Sequence, residues 1–247
     1  ELDPSQQEKL EHEFANEIHI LTAEPRLDAI AKDFVNHYTD LWTSGKAMFV
    51  CLNKVTCVRM YNLAQKYWAE KIVEVENAIK TATQQEAMEL QRKLDWLKET
   101  EMCVVVSQEQ NEIKTFQKWG LDIMPHRKKM VSRELDKEFK KTENPFRVVF
   151  VCAMWLTGFD VKSLSCLYLD KPLQAHTLMQ TIARANRVNE GKSNGLVVDY
   201  IGIVKALRKA LADYTANKEH PGGEDPTIDK EELFAKIIEV IAQTKDF

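Results

Sequence analysis

The sequence predicts an α/β fold: a parallel sheet flanked by helices, with one unusually long helical crossover. Three observations carry that expectation. Short β-branched apolar runs, too brief for helices and bounded by turn residues, recur up to about residue 200. Amphipathic stretches with apolar residues three and four apart separate them, the alternation that builds strand-helix-strand units. One separator, residues 55–101, far exceeds the dozen or so residues that a crossover between parallel strands needs.

The elements follow in chain order. Asp3, Pro4 and Gln6 combine a capping residue, a first-turn proline and a capping-box glutamine, which starts a helix running to about Ile20. Leu27, Ile30, Ala31, Phe34, Val35, Tyr38, Leu41 and Trp42 repeat at helical spacing. That second helix ends at Ser44-Gly45 and is expected to pack on the sheet. Ala47 to Leu52 is the first strand. Within the long crossover, Tyr61, Ala64, Trp68, Ile72, Val75 and Ile79 form one amphipathic series, and Ala87, Leu90, Leu94 and Leu97 a second. Thr83 and Glu86 fit a capping box between them, so a helical hairpin is expected rather than one rod. Residues 102–107 read as the second strand, and Met130, Leu135 and Phe139 as a helix before the third strand, Phe146 to Cys152. Ser163 to Asp170 reads as the fourth strand with Lys171-Pro172 as its exit, and Asn194 to Tyr200 as the last. Val204, Leu207, Leu211 and Tyr214 suggest a short helix. Pro221-Gly222-Gly223 with Asp225-Pro226 is a linker signal, after which Thr227 caps a closing helix bearing Phe234, Ile237, Ile238 and Ile241.

Composition bounds the function. A chain of 247 residues with 44% hydrophobic content supports one core plus extra helices. Its formal charge of −4 gives no global pull toward nucleic acid, so any such contact must be local. Cys51, Cys103, Cys152 and Cys166 fall in or beside predicted strands with no Cys-x-x-Cys pair, which reads as buried thiols rather than disulfides or a zinc site. No apolar stretch approaches membrane-spanning length and no signal peptide is evident, so a cytoplasmic setting without membrane contact is expected. The first residue is Glu rather than Met, the expectation being a fragment. Pro125-His126-Arg127-Lys128-Lys129 is a basic cluster, readable as a DNA contact or as a solvated helix start. Glu138-Phe139-Lys140 matches the Glu-x-Lys of nuclease sites only superficially, lacking a strand-borne aspartate beside it.

The most informative stretch is Gln180-Thr-Ile-Ala-Arg184-Ala-Asn-Arg187. At roughly 100° per residue, Arg184 lies about 40° and Arg187 about −20° from Gln180, with His176 about −40° away. Leu178, Ile182 and Ala185 fall on roughly the opposite side, so the helix can bury one face and hold out two guanidiniums. Planar, permanently charged forks match phosphate oxygens, and a fixed guanidinium at a developing γ-phosphate charge is a known catalytic device. Thr157-Gly158-Phe159-Asp160 upstream supplies a hydroxyl, a residue without Cβ where backbone can approach a ligand, and a carboxylate.

That order of strand, polar turn, strand and arginine helix resembles the second motor lobe of superfamily 2 helicases and translocases. Thr157-Gly158-x-Asp160 matches their motif V, and Gln180, Arg184 and Arg187 match motif VI, with Ala183 standing where most of the superfamily has Gly. Leu167 to Leu173, His176, Leu178, Gln180 and Ile182 to Arg187 together resemble the motor (R) subunit of type I restriction enzymes. Gly45 to Lys54 resembles motif IV, and Val104 to Ser107 the intervening strand. The resemblance covers roughly residues 24–200.

It implies a RecA-like parallel sheet over residues 45–202, with the helical insertion at 55–101, a helical lead-in over 1–44 packing on the core, and C-terminal helices over 203–247. It implies ATP and Mg2+ as cofactors, held mainly by a first lobe that carries a phosphate loop; no Gly-x-x-x-x-Gly-Lys-Ser/Thr occurs in this sequence. It assigns Arg187 as the finger to the γ-phosphate, Arg184 as a second phosphate contact, Gln180 as an organiser of that site, and Asp160 as the link from the turn to the nucleotide. Thr157, the Gly158 backbone, Asn53 and Ser107 become contacts to DNA phosphates, with Lys171 and His176 as possible assistants. The implied partners are double-stranded DNA, the first motor lobe and nuclease domain of the same full-length chain, and methylation and specificity subunits. The chain by itself is expected to be inactive. Two rivals remain at this stage. A dinucleotide-binding domain lacks its Gly-x-Gly-x-x-Gly after the first strand. A helical interaction module, docking to other restriction-modification subunits on a degenerate motor scaffold, is opposed by the intact Arg184 and Arg187.

Overall fold

Five strands, β1 (Lys46–Cys51), β2 (Glu101–Val105), β3 (Phe146–Val151), β4 (Leu164–Asp170) and β5 (Leu196–Asp199), make one all-parallel sheet in the order β2-β3-β1-β4-β5. The computed structural model describes residues 17–156, 158–173, 177, 178, 180–182 and 195–203. By its contacts the chain divides into two compact units, 1–201 and 202–247. The expected helices at the two ends of the chain lie largely outside the described residues; residues 17–21 are helical.

The strands are short, apolar and buried from end to end in the sheet centre, as a two-sided parallel sheet requires. On one face an aromatic row crosses three strands. Phe49 of β1 is in register with Phe150 of β3 and Tyr168 of β4, with ring centroids 5.6 and 6.0 Å away. Helix α1 (Glu24–Asp40) lays Leu27, Ile30, Ala31, Phe34, Val35 and Tyr38 on that row, the spacing that marked it as amphipathic. Phe34 meets Phe49, Phe150 and Tyr168 edge-on at 5.2, 5.9 and 4.7 Å. The alternate residues Met48, Val50, Val149, Val151, Leu167 and Leu169 are buried too, so the opposite face is also covered.

The long crossover is the expected hairpin, α2 (Lys54–Thr81) and α3 (Gln84–Glu99). Glu86 Oε2 accepts from Thr83 N at 2.9 Å and from Thr83 Oγ1 at 2.6 Å, which stops one helix and starts the next. At its base the hairpin packs on itself: Trp68 lies against Trp96 with ring centroids 5.6 Å apart and a 40° tilt, and its Nε1 donates to the Leu97 carbonyl at 2.9 Å. With 28 residues, α2 is about 42 Å long, roughly twice the span of β1.

One local expectation needs correction. The single helix through Met130, Leu135 and Phe139 is two, α5 (Met124–Ser132) and α6 (Leu135–Lys140), because Arg133 is extended at φ −128°. Between β2 and α5 lies α4 (Glu112–Gln117), too short to leave a periodic signal. Gly45 is demanded by its surroundings. It sits at φ +125°, where an added Cβ would come 2.8 Å from the Ser163 carbonyl oxygen.

Candidate functional site at the carboxyl ends of the strands

Parallel strands end on one edge, and in open α/β sheets that edge is where ligands bind. Here the edge carries Leu52-Asn53-Lys54 after β1, Val106-Ser107 after β2, the segment from Cys152 after β3 and Lys171-Pro172 after β4. An open cleft of about 330 Å³ lies there, lined by Asn53, Lys54, Glu109, Thr115, Phe116 and Cys152 among others.

Asn53 is exposed and caps α2, its Oδ1 accepting from Thr56 N at 2.8 Å and Thr56 Oγ1 at 3.0 Å. The cap commits the oxygen and leaves Nδ2 as a donor at the positive end of a long helix. Lys54, beside it, pairs with Glu109 at 2.7 Å. Ser107 is exposed. Its position is set by Arg127, whose Nη1 donates to the Val106 carbonyl at 3.0 Å and Nη2 to the Ser107 carbonyl at 3.5 Å. The same guanidinium grips Glu112 with two hydrogen bonds of 3.0 and 2.7 Å.

That fork shows that the cluster 125–129 is not merely a solvated helix start, although Lys128 is exposed. Arg127 is paired, Lys129 holds Glu101 at 2.8 Å, and His126 is buried edge-on to Tyr61 at 4.6 Å. Glu101 also takes Arg133 Nη1 at 2.6 Å, and those hydrogen bonds hold its carboxyl down to about 2. Glu138, of the nuclease-like triplet, likewise pairs with Arg133. Burial, aided by the Lys129 charge, lowers the His126 imidazole to about 4. A neutral imidazole in the fold against an ordinary one in the unfolded chain gives stability that is complete above pH 6.5 and lost as pH falls through 4. His126→Phe is expected to flatten the urea-unfolding free energy across that window, by up to about 3 kcal/mol. The Glu101 contribution fades at still lower pH, so the two are separable.

After β3, Gly158 is exposed at φ +70° with nothing within 4 Å of a notional Cβ, so the backbone angle and not crowding calls for glycine. Asp160 is exposed; Thr157 lies outside the described residues. Lys171, considered as an assistant at the site, instead donates to the Cys152 carbonyl at 2.6 Å and ties the exits of β3 and β4 together. Asp170 is buried and bonded by Arg26 at 2.5 Å; burial nonetheless outweighs the guanidinium and raises its carboxyl above the usual range. Arg26 also donates to the Tyr200 carbonyl at 3.1 Å, bracing β5.

Residues 177, 178 and 180–182 are helical, with Leu178 and Thr181 buried and Gln180 exposed. His176, Arg184 and Arg187 lie outside the described residues. The structure therefore brings Asn53 and Ser107 to the carboxyl edge, while Gly158 lies further along the connection to β4, next to Phe159, whose ring packs toward Phe139 and the start of β3. Arg26, Lys54 and Arg127 were missed as organisers of that edge, since each partner lies far away in sequence. Among the described residues no cluster of His, Cys, Asp or Glu is arranged to hold a metal ion, and no helix is long and apolar enough to cross a membrane. All five cysteines are buried thiols, none in a disulfide.

Comparison with known proteins places the chain. The model for type I restriction enzyme subunit R domain 3 matches residues 43–202. A Methanocaldococcus jannaschii chain provisionally assigned as the type I restriction enzyme MjaIXP endonuclease subunit is 35% identical over 217 residues, covering 87% of this chain and 18% of the relative. The type I restriction enzyme HindI endonuclease subunit of Haemophilus influenzae is 33% identical over 201 residues, covering 79% of this chain and 16% of its own. A solved fragment from Vibrio vulnificus YJ016, provisionally assigned as the HsdR subunit of a type I restriction enzyme, aligns with 15% identity and TM-score 0.42, over 72% of this chain and 28% of that one. The chain thus spans less than a fifth of the length of these two curated relatives.

Proposed function

This chain belongs to the family of type I restriction enzyme R subunits, and we propose that residues 45–202 are the second motor lobe of an ATP-dependent double-stranded DNA translocase. The observation that supports the reading most is the placement of Asn53 and Ser107 just past the carboxyl ends of β1 and β2, on one edge of a parallel sheet.

In this reading Asn53 Nδ2, the Ser107 hydroxyl, Thr157 and the Gly158 amide touch DNA phosphates. Such contacts hold a duplex without reading its sequence, as a motor must. Arg187 reaches the γ-phosphate from the helix whose apolar side begins with Leu178, Arg184 makes a second phosphate contact, Gln180 organises the two, and Asp160 couples the DNA turn to the nucleotide. ATP and Mg2+ are held mainly by the first lobe of the full-length chain. Arg184 and Arg187, assigned to the γ-phosphate side, lie outside the described residues, and those described offer no carboxylate set for the metal. When bound, the metal neutralises charge on the transferring phosphate; this lobe contributes donors and orientation. The nuclease domain, the methylation and specificity subunits and a cytoplasmic setting complete the proposal.

The test is ATP turnover with and without duplex DNA. The chain alone is expected to show none, and mixing it with the preceding lobe, or using the full-length subunit, is expected to restore a DNA-stimulated rate. Turnover by the chain alone, or a full-length rate indifferent to DNA, contradicts the proposal.

A further inference from the structure

The connection from β3 to β4 is unusual. Parallel strands of one sheet are ordinarily joined through a helix, yet the connection from β3 to β4, which skips β1, has no helix among the described residues of 152–163. Trp155 within it has φ +68°, the left-handed region, where a bulky residue is a genuine outlier. Three residues later Gly158 has φ +70°, so the segment turns twice in left-handed steps, the second at a residue that permits it and the first at one that resists it.

Strain of that kind persists only where the surroundings over-determine it. Here they do so with rings. The Trp155 indole stacks on Phe159 at 4.1 Å and 18° and lies 5.7 Å from Phe139. Phe139 is fully buried against Phe146 at 4.9 Å, anchoring the stack to α6 and the start of β3. Lys140 closes it from outside, its ammonium 4.8 Å over the Phe159 ring. The exposed Gly158 is therefore spanned by two stacked rings, one on each side of it in sequence, both fixed to the sheet.

We propose that Trp155 is a positioning residue whose strained backbone and ring stack fix where the Gly158 amide is presented to a DNA phosphate. The inference rests on the motor-lobe reading above. Trp155 need not touch DNA; by stacking on Phe159 it restrains the backbone next to Gly158, so the amide does not have to be ordered at the moment of binding.

The test is DNA-stimulated ATP turnover of the full-length subunit as a function of duplex concentration. Trp155→Ala is expected to raise the half-stimulating DNA concentration by about tenfold while the rate at saturating DNA stays within about twofold. Trp155→Phe, which keeps a stacking ring, is expected to return to within about twofold of the parent. Phe159→Leu removes the other ring and is expected to copy Trp155→Ala, which keeps the question answerable if the alanine variant fails to fold. Trp155→Ala and Trp155→Phe behaving alike, or a fall in the saturated rate with unchanged DNA dependence, overturns the proposal. Gly158→Val separates the two levels. If it leaves the DNA dependence unchanged, the turn is not a DNA contact and the motor-lobe assignment of Gly158 fails; if it weakens DNA dependence while Trp155→Ala does not, only the positioning role fails.

Discussion

Replacing Arg187 by alanine in the full-length subunit is expected to lower DNA-stimulated ATP turnover by about 10³- to 10⁵-fold, the effect of removing a guanidinium from the charge that develops on a transferring phosphate. Helical register supports the choice of residue. Leu178 and Thr181 are buried and Gln180 is exposed, so Gln180 marks the outward stripe. Arg184 and Arg187 lie outside the described residues; by sequence spacing alone they stand four and seven positions after Gln180, the helical repeat expected for that stripe. Arg187→Lys is expected to recover little, because an ammonium is a point charge without the planar fork that meets two phosphate oxygens at once. DNA binding by the variant should be near normal, since the assigned phosphate contacts to DNA lie on other loops. Normal ATP turnover in Arg187→Ala would instead favour an interaction module on a degenerate motor scaffold.

Phe34→Ala is expected to cost about 3–5 kcal/mol, the range for emptying a fully buried aromatic site, and to lower the melting temperature by roughly 10 °C in a unit of this size. Phe34 comes from α1, yet its ring meets Phe49, Phe150 and Tyr168 on three adjacent strands. If α1 is integral to the core, that loss propagates across the sheet centre and the whole unit melts earlier. A control at the exposed Val73 of the hairpin, Val73→Ala, should change stability by about 0.5 kcal/mol or less. A Phe34→Ala loss as small as the control would mean that α1 is a detachable appendage. Equilibrium urea unfolding followed by tryptophan fluorescence measures both.

The elements most legible in the sequence are those whose burial is periodic. β1, β3 and β4 are apolar runs because both faces of a parallel sheet are covered, and α1 shows its stripe because one side meets Phe49 and its neighbours. The hairpin turn was readable from Thr83 and Glu86 alone, since a capping box is local. What was not readable depended on residues far apart or on backbone angles. The cluster at 125–129 looked like a charged surface because Glu112 and Glu101, which absorb Arg127 and Lys129, lie 15 and 28 residues away. Lys171 looked available for a ligand until the Cys152 carbonyl, 19 residues upstream, took its ammonium. Nothing in a residue pattern marks a tryptophan for positive φ, so Trp155 gave no signal. At the candidate site the same division holds. The carboxyl-end placement of Asn53 and Ser107 follows from strand order, whereas the carbonyl clamps that aim Ser107 and the rings that frame Gly158 are visible only in three dimensions.

The most direct measurement is a structure of the full-length R subunit with duplex DNA and a non-hydrolysable ATP analogue. The expected result is an Arg187 guanidinium nitrogen within about 3 Å of a γ-phosphate oxygen, Arg184 on the same nucleotide, and DNA phosphates against Gly158, Asn53 and Ser107. Arg184 and Arg187 tied up in ion pairs inside this lobe, with the nucleotide elsewhere and the duplex away from Gly158 and from the carboxyl ends of β1 and β2, would contradict it.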